Sequence, residues 1–116
     1  MPDYSKTIIY KISCKDLRIT ETYGGHTTNL IRRRQNHKSD CNNNNSSKNY
    51  NSYVYHFIRD NGGFDNWEML WCYDYPCENK REAELEEQNF IDKNECELNT
   101  SKAFITEEQK KEKNKN

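Results

Sequence analysis

No apolar run in this sequence approaches the roughly 20 residues that cross a bilayer, and the amino-terminal MPDYSKTIIYK lacks the long apolar stretch of a secretory signal. A soluble, intracellular protein with no membrane partner is the expectation. Apolar residues are scarce as well, at 32% of the chain, with 32% charged and a mean hydropathy of −1.32. Any core must therefore be small and built economically from aromatic and branched side chains. Disorder throughout is excluded by the 12% of aromatic residues, eight of them Tyr, which is too many for a chain that buries nothing. The 116 residues make about one domain on the usual prior of roughly 100 to 200 residues.

There is also no CxxC pair. The five cysteines, Cys14, Cys41, Cys72, Cys77 and Cys96, are odd in number and irregularly spaced, which fits reduced thiols better than a disulfide framework. A zinc set is the alternative: His37 and Cys41 lie four apart on an expected helix, and Cys72 with Cys77 would complete four ligands of the type zinc prefers. Against it, the step between Cys72 and Cys77 is longer than zinc pairs usually have, and Cys72 reads as strand interior.

A net charge of −1 conceals an asymmetry. Through Asp60 there are ten Lys or Arg against five Asp or Glu, and beyond it eight against fourteen. The first half is suited to a polyanion and the second to a cation, although a solvated surface would have the same composition.

Along the chain, residues 6–13 alternate with Ile8, Tyr10 and Ile12 on one face, the period of a half-buried strand. Ile19–Tyr23 returns as a second strand, which Gly24–Gly25 is expected to end by its backbone freedom. Thr27 or Thr28 is placed to cap the following helix, on which Leu30, Arg34, His37 and Cys41 share one side. Residues 39–52 are Asn- and Ser-rich and read as a flexible loop. Tyr50 or Ser52 then opens a helix with the stripe Val54, Phe57 and Ile58, closed by Gly62–Gly63.

Trp67–Tyr73 is apolar enough to predict a central strand covered on both faces, and Tyr75–Pro76 breaks its ladder. The segment Lys80–Lys93 predicts a helix with Ala83, Phe90, Ile91 and Asn94 inward, and Glu87 projects from the middle of that face. A carboxylate in an apolar stripe is costly unless it is paired, hydrogen-bonded or bound to a metal. Past Asn99 the pattern is lost, and the charged tail over 101–116 is expected to be flexible.

Taken in order, IIYKI, YGG, HTTNLIRRRQNHK and REAELEEQNFID resemble the GIY-YIG nuclease domain over residues 6–100, most closely the stand-alone versions in large DNA viruses. The resemblance implies an α+β fold with a small, mainly antiparallel three-stranded sheet flanked by helices. It further implies a metal-dependent endonuclease acting on DNA, using Mg²⁺ with Mn²⁺ able to substitute. Tyr10 and Tyr23 correspond to the tyrosines of its two motifs, Arg33 to its arginine, His37 to the His or Tyr one helical turn on, Glu87 to its metal-binding glutamate and Asn99 to a supporting asparagine. His26 follows Gly25 where relatives carry Ser, Lys or His. Two departures stand out: Ile8 replaces a glycine, and Gly24 replaces a branched residue.

The residue types suit the chemistry. Phosphodiester hydrolysis needs an activated water, stabilised phosphoryl charge and a neutralised leaving oxygen. A tyrosine of pKa about 10 is only about a thousandth phenolate at neutral pH, so Tyr10 as a base needs a cation beside it or an imidazole, His26 or His37, to take its proton. Arg33 offers planar donors to a phosphate, with Arg32, Arg34, Lys38 and Lys11 as further backbone contacts. No second DNA-binding module is recognisable, so specificity would come from nucleic-acid structure, loops, a protein partner or a homodimer. The rival readings are an inactive nucleic-acid-binding copy of the same fold and a small zinc-stabilised interaction domain.

Overall fold

The computed structural model describes residues 3–43, 50 and 52–99; the remainder of the Asn-rich stretch and the charged tail over 101–116 lie outside the described residues. A short 3-10 turn at Tyr4–Lys6 leads into β1 (Ile8–Cys14) and β2 (Thr22–Thr27), then α1 (Leu30–Asn42) and α2 (Tyr53–Asp60). A second 3-10 turn, Phe64–Asn66, precedes β3 (Trp67–Asp74) and α3 (Lys80–Asn94). The sheet has the order β2-β1-β3 and is antiparallel at both pairings, an α+β fold with helices on its two faces. No helix among the described residues is long and apolar enough to cross a membrane.

The central strand is β1, and not β3 as the apolar run Trp67–Tyr73 suggested. Tyr10, Ile12 and Cys14 enter the cluster with Cys41, Val54, Tyr55 and Ile58, while Ile9 joins Phe90, Ile91 and Cys96 on the other face. Burial on both faces is what a central strand requires, and each large apolar side chain so buried contributes about 1.5–3 kcal/mol. On β3, Leu70 and Trp71 stay 40% and 56% exposed, as an edge strand allows. Between Ile9 and Tyr10 the register with β3 slips, Ile9 facing Tyr73 and Tyr10 facing Trp71, so Cys72 is the extra residue of a bulge.

Gly24 and Gly25 do not end the second strand; β2 begins only at Thr22 and runs through both to Thr27. Neither glycine has a positive φ, so conformational freedom is not their use. A Cβ on Gly24 would stand 2.8 Å from the Phe90 ring, and one on Gly25 would overlap the Tyr10 hydroxyl. Both glycines are there for close approach.

Helix α1 is capped by Asn29 instead of either threonine: its Oδ1 accepts the Arg32 N–H at 3.1 Å, and Thr27 Oγ1 accepts the Asn29 N–H. The helix extends through Ser39–Asn42, residues expected in the loop, and buries His37 and Cys41 while Arg34 stays exposed. In α2 the buried residues are Val54, Tyr55 and Ile58, with Phe57 half-buried. Gly62 and Gly63 follow at φ 102° and 82°, the left-handed stop the sequence predicted. On α3, Ala83, Phe90 and Ile91 are buried together with Gln88, whereas Asn94 is exposed and caps the Phe90 carbonyl at 3.0 Å.

Candidate active site

The three elements that bound one side of the sheet deliver a polar cluster into its core. Tyr10 comes from β1, Arg33 and His37 from successive turns of α1, and Tyr55 from the first turn of α2. Arg33 Nε donates to the Tyr10 hydroxyl oxygen at 3.3 Å, and His37 Nε2 lies 2.8 Å from the same oxygen. The other ring nitrogen, Nδ1, lies 2.7 Å from the Tyr55 hydroxyl. Tyr23, from β2, packs edge-on to the His37 ring with centroids 5.6 Å apart. Across the strand pair Gly25 faces Tyr10 and leaves the room its hydroxyl needs.

Burial sets the charge states. The Tyr10 phenol is pushed far above its ordinary value, first by burial and then by Tyr23, with Arg33 acting against the rise. Tyr23 is also raised, by burial and by the Glu87 carboxylate. His37 is lowered to about 3, by burial and then by the Arg33 charge. Tyr55 is raised as well, chiefly by burial, so at neutral pH the cluster holds three protonated phenols, a neutral imidazole and one guanidinium.

Glu87 reaches the same locality from α3, where it acts electrostatically on both Tyr10 and Tyr23. Its Oε1 accepts the His26 backbone N–H at 3.0 Å and lies 2.8 Å from His26 Nδ1, which fixes the carboxylate on the end of β2. Among the described residues Oε2 accepts no hydrogen bond, and no three His, Cys, Asp or Glu gather as a metal cage. A lone anchored carboxylate with one oxygen to spare fits a hard divalent cation that keeps most of its waters, such as Mg²⁺ or Mn²⁺. His26 thus partners Glu87, and of the two imidazoles weighed for Tyr10 it is His37 that stands beside it.

Asn99 clasps Gly24, its amide nitrogen donating to the Gly24 carbonyl and its Oδ1 accepting the Gly24 N–H, both at 2.9 Å. The basic residues disperse. Arg32 and Arg33 line a groove of about 590 Å³ at the start of α1, with Lys6, Thr27, Thr28, Asn29, Asn36 and one acidic residue, Asp3, around it. Lys6 is a contributor that sequence reasoning missed, because it lies before β1 and only the fold returns it to α1. Arg34 instead leans over the Phe64 ring, 5.5 Å from its centroid, and Lys38 faces Asp65 at 3.8 Å. Lys11 is on the opposite face of β1, where its charge acts on Cys72 and Cys96. It does not join the groove.

The four proposed zinc ligands do not assemble. His37 and Cys41 are buried on the α1 side, Cys72 packs with the cluster on the other face, and Cys77 Sγ lies 3.5 Å from Thr7 Oγ1. Both nitrogens of His37 are already engaged by phenols. Tyr55 is the second residue sequence reasoning passed over, though three residues before Ile58 it falls on the inward stripe of α2, where a buried hydroxyl demands a partner.

A family model described as the GIY-YIG catalytic domain matches residues 6–102. No curated protein and no solved structure matches the chain.

Proposed function

The chain belongs to the GIY-YIG family of nucleases, which generally depend on a divalent metal, and from that premise we propose that it is an endonuclease hydrolysing DNA phosphodiesters with Tyr10, Arg33, His37 and Glu87 at its centre. The observation that carries this reading is the convergence of Arg33 Nε and His37 Nε2 on one phenol oxygen directly behind the wall of a basic groove.

A phosphate in that groove pairs with Arg33 and Arg32, contacts that give affinity with steep salt dependence and little sequence readout. Its negative charge offsets the Arg33 charge that depresses His37, and the imidazole becomes a better proton acceptor when substrate is present. Tyr10 is too strongly protonated to act as a free phenolate. It takes the proton of the attacking water as it passes its own to His37 Nε2, so that the charge is created on the imidazole and not on the buried phenol. Tyr23, edge-on to His37 and close to Glu87, borders the phosphate path. The P–O bond to the leaving oxygen breaks as the water oxygen bonds to phosphorus; the leaving oxygen takes a proton from solvent, and His37 gives up its extra proton to solvent afterwards. When bound at Glu87, a divalent cation supplies charge stabilisation to the phosphoryl and leaving oxygens.

Supercoiled plasmid incubated with Mg²⁺ or Mn²⁺ at low salt tests the reading, beside Glu87→Gln and Arg33→Ala variants shown to be folded. Nicking that depends on metal and falls about 100- to 1,000-fold in each variant is expected. Absence of cleavage with any metal, or cleavage that survives both substitutions, overturns it and leaves a nucleic-acid-binding module. An RNA duplex run in parallel distinguishes the two nucleic acids.

A further inference from the structure

We infer that Tyr55 is a positioning residue, one that holds the His37 ring proton on Nδ1 so that Nε2 faces Tyr10 as a bare acceptor. The inference rests on the proposed relay and adds to it a residue that no motif contains. Three buried groups stand in a line, Tyr10, His37 and Tyr55, exposed 1%, 0% and 4%. Both ring nitrogens lie within hydrogen-bond distance of a phenol, at 2.8 Å and 2.7 Å, and a neutral imidazole donates through one nitrogen and accepts through the other.

Geometry at the Tyr10 oxygen decides which. Arg33 Nε can only donate, and it already points at that oxygen. Were Nε2 also protonated, Tyr10 would accept two hydrogen bonds, and its own proton would be left in the core without an acceptor on either neighbour. With Nε2 bare, Tyr10 accepts from Arg33 and donates to His37, and every group at that oxygen is matched. The ring proton then belongs to Nδ1 and needs an acceptor, which the Tyr55 oxygen provides. Tyr55 remains a neutral phenol here, since burial, Tyr23 and the Asp40 carboxylate all raise it. An imidazole with the opposite tautomer could not take the Tyr10 proton at all, so the acceptor that Tyr55 offers to the Nδ1 proton holds the ring in the one tautomer through which the relay runs.

The long-range ¹⁵N–¹H spectrum of the uniformly labelled protein, free of metal and nucleic acid, reads the protonated nitrogen of each of the three His rings. The wild-type chain should show His37 protonated at Nδ1 and bare at Nε2. In Tyr55→Phe the proton should move to Nε2 in part or in full, with kcat for plasmid nicking down about 10- to 100-fold and KM unchanged. A wild-type His37 protonated at Nε2 overturns the inference, as does a Tyr55→Phe protein that keeps both the tautomer and the rate. Should Tyr55→Phe fail to fold, the wild-type Nδ1 proton decides: a cross-peak from it to the Tyr55 ring sustains the inference, and an Nδ1 proton without that contact overturns it. A wild-type chain that shows the Nδ1 tautomer and yet cuts nothing would sustain the positioning of His37 while removing the nuclease reading, so the two fail separately.

Discussion

The two faces of the sheet are both buried by apolar clusters, but only one of these clusters encloses a polar relay. Beneath α3, Ile9, Phe90, Ile91 and Cys96 form an apolar layer of ordinary kind. Beneath α1 and α2, a neutral imidazole and two phenols are set among Ile12, Val54, Ile58, Phe64, Trp67 and Leu98 and, among the described residues, are hydrogen-bonded to one another and to Arg33. Side chains of the first sort stabilise by leaving water, whereas those of the second lose hydration and regain it through hydrogen bonds whose net worth is small. The contrast teaches that the polar relay is set inside the larger of two apolar layers while the layer beneath α3 is apolar throughout, with β1 contributing Tyr10 to the first and Ile9 to the second from adjacent positions.

Substitutions should expose that division. The largest effect on folding is expected from Phe90→Ala, a loss of about 4 kcal/mol read from the denaturant midpoint, with cleavage per folded molecule unchanged. A loss of cleavage beyond the loss of fold would show that the faces are not separable. Gly25→Ala crosses the division from the other side. The added methyl must displace the Tyr10 hydroxyl, and about 2 kcal/mol of stability together with most of the activity should go, although the backbone tolerates alanine there.

Acid sharpens the comparison. His37 titrates at about 3 when folded and near its ordinary 6.5 when unfolded, so between those values the unfolded chain binds the extra proton. Its contribution is fully present above pH 6.5 and is lost as pH falls toward 3, with a slope of at most about 1.4 kcal/mol per pH unit. Urea midpoints across that range should show the slope, and His37→Gln should flatten it; an equal slope in both proteins would remove His37 as its source. The smallest effect is expected from Asn99→Ala. About 1 kcal/mol should be lost with the two Gly24 bonds, detectable as a lowered Tm.

Much of the architecture was legible from periodicity and punctuation. Two strands and three helices fall where alternation, helical stripes and the Gly62–Gly63 stop place them, whereas β2 lies at Thr22–Thr27, mostly beyond the expected Ile19–Tyr23. What was not legible is tertiary. The run Trp67–Tyr73 looks central because it is apolar, yet Leu70 and Trp71 remain at the surface, and no local pattern reports which strand has two neighbours. Gly24 and Gly25 look like a turn because glycine's commonest use is conformational, whereas their use here is set by Phe90 and Tyr10, distant in sequence. Within the site, the spacing of Arg33 and His37 brought both onto Tyr10, since one helical turn is a fixed step. Lys11 and Arg34 misled because charge alone does not say which face of a strand or helix a residue takes. Tyr55 was hidden by its aromatic ring, which passes for core until its hydroxyl is followed to His37.

The outer edge of β2 has one more consequence. Three alternate residues there meet groups that are not a strand: the Thr22 carbonyl accepts the Leu98 N–H at 3.0 Å, Asn99 takes both backbone groups of Gly24, and Glu87 accepts the His26 N–H. Side chains and a returning segment have taken the seats of a fourth strand. Among the described residues the sheet therefore keeps one open edge, that of β3, where Leu70 and Trp71 face solvent. Releasing Glu87 or Asn99 would open a second front for edge-to-edge pairing, so two residues proposed for the site also close that edge of the sheet.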